Sequence, residues 1–133
     1  LEPREILEAL RDAKAPNRRL DIEIALLLGW TRTSAIVRGD DGRSSKSVSW
    51  FKPGEDTPSA VPFYTSSIDA AYELAQYLIP GHAAACTWSK EESTAVIDDG
   101  SPVIAADPAI ALCIAILLEY FKRERLSSPA SDG

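Results

Sequence analysis

Methionine is absent from the 133 residues, cysteine occurs twice and histidine once. Two cysteines, Cys86 and Cys113, cannot build the multi-bridge framework of a small secreted domain, so no such framework is expected. Cys113 lies inside the apolar run 109–118, where a thiol acts as a small hydrophobe. With His82 as the single imidazole, a four-ligand structural zinc site has no donors without carboxylates, and neither a metal nor a cofactor is expected. The seven glycines are scattered at helix ends and turns, which excludes a glycine-rich phosphate loop. The longest apolar run, 109–118, is far shorter than the ~20 residues that cross a bilayer. No basic stretch followed by an apolar core opens the sequence, and a reduced, cytoplasmic setting is the expectation.

Hydrophobic residues at 45% and charged residues at 26% are ordinary globular values, against both disorder and a membrane class. The formal charge of −6 gives an average surface field that repels phosphate backbones, so nucleic acid is disfavoured as a partner. One α+β domain is expected over residues 1–126, with a patternless disordered tail at 127–133.

Ile6, Leu7 and Leu10 recur at helical spacing over residues 3–12, where Pro3 suits a first turn. Asn17 is a good cap for a second helix at 18–28 carrying Leu20, Ile24, Leu27 and Leu28 on one face. Gly29 ends that helix, and Trp30 is placed to fold back over its last turn as a lid on the core. Gly39-Asp40-Asp41-Gly42 predicts a turn between a weak strand at 34–38 and a better one at 47–52. A surface loop follows at 53–62. Ser66 reads as the cap of a third helix at 67–79, with Asp69 three residues on and Pro80-Gly81 as its stop. Short antiparallel strands are expected at 84–90, 93–97 and 103–105, with 48–52 as a further strand of their sheet. Asp107-Pro108 launches a last helix to about Arg125. That helix is apolar all round through Leu118, so it is either the central element or half of an interface.

Chemistry-bearing residues are sparse. His82 and Cys86 lie four residues apart in an extended stretch, ~13 Å end to end, and do not meet unless the chain turns. The Asp-Asp-Gly sequences at 40–42 and 98–100 lack the alternating carboxylates of a calcium loop and read as turns. Lys14, Arg18 and Arg19 form a small anion patch if they converge, and otherwise a solvated face. Trp30, Trp50, Phe51, Phe63, Tyr64 and Trp88 supply core volume, with a ligand groove near Phe63 and Tyr64 as the alternative.

Three stretches together resemble the phage ABA sandwich domain family of small phage and prophage proteins. They are Leu20-Asp21 with Ala25 and Gly29-Trp30; Pro62-x-Tyr64-Thr65-Ser66 followed by Ala70-Ala71; and Ala109-Ile110-x-x-Cys113-x-Ala115. Order and approximate spacing match over residues 20–118, with Thr65 where serine is usual, no methionine before Gly29-Trp30, and a longer middle insertion. The resemblance implies an α-β-α layered fold with a small, mainly antiparallel sheet and about four helices, and a phage-derived setting in a bacterial host cytoplasm. It carries no activity.

With no catalytic constellation visible, the expected function is a non-enzymatic interaction protein of phage or prophage origin. Its partner is a second copy or a host or phage protein. The alternative is a small-molecule or nucleotide-binding module that uses Trp30, Tyr64, Thr65 and Ser66 at a helix N-terminus.

Overall fold

The computed structural model describes residues 1–127. The elements run α1 (Pro3–Asp12), α2 (Arg18–Leu27), β1 (Thr31–Arg38), β2 (Ser44–Phe51), α3 (Ile68–Leu78), β3 (Ala84–Trp88), β4 (Ser93–Ile97), β5 (Val103–Ala105) and α4 (Pro108–Ser127). Four helices and two small antiparallel sheets make an α+β fold. Of the tail expected at 127–133, Ser127 is instead the last residue of α4, where the helical pattern runs past Arg125, and residues 128–133 lie outside the described part.

Local chemistry starts and stops the helices. At α1, Pro3 occupies the first turn, while the Glu2 amide donates to Glu5 Oε1 at 3.0 Å in a reciprocal capping box. The Asn17 side chain accepts from the amides of Arg19 and Leu20 at 2.9 and 3.2 Å, opening α2. Gly29, at φ +97°, closes it. Its amide donates to the Leu26 carbonyl at 3.1 Å and the Trp30 amide to the Ala25 carbonyl at 3.0 Å. This 6→1 and 5→2 pair turns Trp30 back onto the helix end, where it is buried. At α4, Asp107 Oδ1 accepts from the Ala109 amide at 2.9 Å ahead of Pro108 in the first turn.

Residues 109–117 of α4 are buried without interruption, so the helix has neighbours on every side. It packs on all three strands of the sheet β3-β4-β5 and against α1 and α3, and α2 joins through α1. Of the two readings open to so apolar a helix, the central element is the one observed. In β4 the buried residues Ser93, Ala95 and Ile97 alternate with half-buried Thr94 and Val96, so one sheet face meets α4. On the other face Thr87 and Ile104 are exposed.

The strand expected at 48–52 does not join that sheet. β1 and β2 form a separate hairpin in register from Thr31↔Phe51 to Arg38↔Ser44, longer than the predicted strands. The physical reason is its composition. A continuous apolar face is needed to dock a sheet on a helical core, and here each face breaks its apolar residues (Ile36, Val48 and Trp50 on one, Ala35, Val37 and Phe51 on the other) with charged or hydroxylated ones, so the side chains stay exposed until Ser49. The arm's base is pinned where the Ser59 amide donates to the Trp50 carbonyl at 2.8 Å.

Candidate functional site

The residues nominated from sequence share one neighbourhood but face different ways. Trp30 and Tyr64, 6% and 4% exposed, line an open cleft of about 250 Å³ with Pro53, Pro62, Leu74 and Tyr77. Lys52, Glu55 and Glu73 supply its charges. One cation against two carboxylates suits a cationic or neutral hydrogen-bonding ligand better than an anion. Burial, reinforced by Cys113, Glu73 and Asp21, pushes the Tyr64 phenol well above its ordinary range and keeps it a neutral donor.

Thr65 is fully buried and does not line the cleft. Its amide and hydroxyl donate to Asp21 Oδ1 at 2.8 and 2.7 Å, and its Oγ1 accepts from the Asn17 amide at 2.9 Å. Ser66 is exposed, and the cap expected there belongs to the next residue. Ser67 Oγ accepts from the Ala70 amide at 3.1 Å, because the amides of Ser66 and Ser67 are both drawn back to the Phe63 carbonyl and the helix starts one position later. Asp69 sits in that first turn and already supplies the negative charge favoured there.

Arg18 is not part of an anion patch. Its guanidinium donates to Asp21 Oδ2 at 3.1 Å and to the carbonyls of Pro62 and Val61 at 3.0 and 2.7 Å, and it lies 4.0 Å over the Phe63 ring. Asn17, Arg18, Asp21 and Thr65 therefore form a polar staple joining the start of α2 to the segment before α3. The ends of the staple are more than 40 residues apart in sequence, so sequence reading finds only the local caps there.

The remaining aromatics are dispersed. Trp50 lies under Arg32 with the guanidinium 5.6 Å from the ring, Phe63 under Arg18, and Trp88 is exposed. His82 and Cys86 line one apolar groove between α3 and β3 without a hydrogen bond between them; His82 Nδ1 lies 2.9 Å from the Ile79 carbonyl. Of the Asp-Asp-Gly carboxylates, Asp41 closes its own turn, whereas Asp98 ties its turn to the start of β3 and to α4. Asp41 accepts from the Arg43 amide at 2.9 Å, and Asp98 accepts from the Ala83 amide at 2.7 Å while pairing with Arg123 at 3.2 Å. Among the described residues no cluster of His, Cys, Asp and Glu has a metal-holding arrangement, and no helix is long and apolar enough to cross a membrane.

The two thiols are unpaired and differ sharply. Cys113 is fully buried with Sγ 3.2 Å from the Tyr64 carbonyl, and burial, then Asp21 and Asp107, raise its titration far above the usual thiol range. Cys86 is half-buried. A chromogenic disulfide reagent at pH 8 is expected to modify Cys86 in the native protein and Cys113 only after denaturant is added. Simultaneous reaction of both would contradict this placement.

Comparison of the chain with family models, with curated proteins and with solved structures returns no match.

Proposed function

We infer that this chain is a non-enzymatic interaction protein of phage or prophage derivation, with the β1–β2 arm as its binding element. The observation that carries the reading is the arm itself: an eight-residue ladder whose side chains are exposed on both faces through most of its length, beside a closed core. A free hairpin of this length has little independent stability, and a partner surface gives it a reason to persist. Among the described residues the outer edge of β1 pairs with no third strand, and an open edge is a template for pairing with another chain, including a second copy. The three-part sequence resemblance supports the phage setting.

Light scattering after size exclusion tests the reading, using the full chain and a variant in which residues 34–48 are replaced by Asn-Gly. A mass that rises with concentration or with added partner in the full chain, and not in the shortened one, supports it. A strict monomer with no arm-dependent binding in any assay would overturn it.

A second reading, a small-molecule module, is favoured by the cleft between the end of α2, the 52–62 loop and α3. Trp30 and Tyr64 belong to it, whereas Thr65 and Ser66 act behind and beside it. Stabilisation by a cationic or neutral metabolite in a thermal-shift screen, lost in Tyr77→Ala, is the outcome that selects this reading.

A further inference from the structure

The average charge that disfavours nucleic acid hides a separation. Residues 31–52 hold Arg32, Arg38, Arg43, Lys46 and Lys52 against Asp40 and Asp41, a net of +3, which leaves −9 on the rest of a chain whose total is −6. The arm is thus basic and the remainder acidic.

Directly paired residues in an antiparallel ladder share a face. One face carries Arg32 beside Trp50, Ser34 beside Val48, Ile36 beside Lys46, and Arg38 beside Ser44. The other carries Thr33, Ala35, Ser45, Ser47 and Ser49 together with Val37 and Phe51, and no charge. Every cation of the ladder therefore lies on one face, and no carboxylate lies in the ladder at all. Among the described residues, Arg32, Arg38 and Lys46 make no ion pair, so their charge is available. Arg32 and Arg38 are about 20 Å apart along the strand, roughly two Debye lengths at moderate salt, so the acidic body is screened at the arm's outer half.

Taking the arm as the binding element, as above, we propose that its Arg32–Arg38–Lys46 face binds the sugar–phosphate backbone of double-stranded nucleic acid, side-on and without base specificity. Guanidinium, ammonium and hydroxyl donors spaced along a ribbon match a row of phosphate oxygens, contacts that position a protein on the duplex without reading its sequence. The turn decides the orientation. Asp40 and Asp41 at the tip repel phosphates, and Asp41 is bound to the Arg43 amide, so the arm lies along the backbone rather than entering tip first. A membrane surface fits less well, because the Gly39-Asp40-Asp41-Gly42 tip has nothing apolar to insert.

The test is a fluorescence-anisotropy titration of a labelled 20-base-pair duplex DNA with the full chain between 50 and 200 mM salt. Three neutralised phosphates give an expected slope of log K against log salt of about −2.7. The exposed-site variant Arg32→Gln/Arg38→Gln/Lys46→Gln, with unchanged circular dichroism, is expected to bind at least tenfold more weakly at 50 mM salt with a slope near zero. Lys90→Gln, an exposed cation away from the arm, is expected to leave both unchanged. No salt-dependent binding by the full chain, binding to anionic vesicles alone, or a triple variant that binds like the parent would each overturn the proposal. If the duplex is not bound but the 34–48 replacement still abolishes self-association, the arm remains a binding element and only its assignment to nucleic acid fails. Should arm variants change neither readout, both readings fail together.

Discussion

Asp21→Ala is expected to lower the unfolding free energy by about 3 kcal/mol, the sum of an orphaned buried amide and lost charge-assisted hydrogen bonds. Asp21 is 1% exposed, and its two oxygens take three donors: the Thr65 amide, the Thr65 hydroxyl and the Arg18 guanidinium. These donors differ in what they fall back on. The Thr65 hydroxyl also reaches the Asn17 carbonyl at 3.2 Å, and Arg18, partly in solvent, keeps the carbonyls of Val61 and Pro62. Among the described residues the Thr65 amide donates to no second acceptor, and it is fully buried. Asp21→Asn separates the contributions, since an amide oxygen in the same place still accepts from Thr65 while the charge pairing with Arg18 is gone. Its expected cost is about 1 kcal/mol, because the Arg18 ion pair is part-exposed and hydrogen bonding rather than charge dominates the staple. Urea denaturation of the two variants decides the matter, and equal losses would show that charge, not hydrogen bonding, holds the joint.

Ile114→Ala is expected to cost more, about 4 kcal/mol, near the upper end for removing a large aliphatic side chain from a core. The position is fully buried in the middle of α4, and buried residues lie on both sides of it along the helix from 109 to 117. A cavity at the edge of a core relaxes by letting one neighbour move. Here the sheet, α1 and α3 each contact the same helix, so collapse toward the gap on one side pulls away from packing on another. For a chain of this size the loss corresponds to a fall in Tm of more than about 10 °C. Leu118→Ala is the internal comparison: it lies one residue beyond the buried run, is only partly buried, and is expected to cost less than half as much. Thermal unfolding that ranks the two equally would contradict α4 as the hub.

Much of this architecture is legible in the residue order. Caps and stops are local events, in which one side chain or one glycine meets amides or carbonyls within four residues. Asn17, Gly29, Pro80-Gly81 and Asp107-Pro108 therefore mark the ends of helices correctly. Where two local solutions compete, spacing does not choose. Ser66 and Ser67 are equally good caps, and the Phe63 carbonyl, which gathers both amides, selects the second. The same limit applies to the nominated site. Aromatic content points to Trp30 and Tyr64, which share a cleft, but nothing local distinguishes a threonine facing that cleft from one bound to a carboxylate 44 residues away.

The residue order by itself determined the helices, the main turns and the all-round burial that α4 demands, because periodicity and capping act over a single turn or strand. Only the tertiary structure decided which neighbours satisfy that burial, that Arg18 is consumed by a staple, and that the hairpin stands apart from the core. Those outcomes depend on surfaces meeting across tens of residues. For the hairpin in particular, paired strands place Arg32, Arg38 and Lys46 on one side, a grouping that neither net charge nor either strand read alone contains.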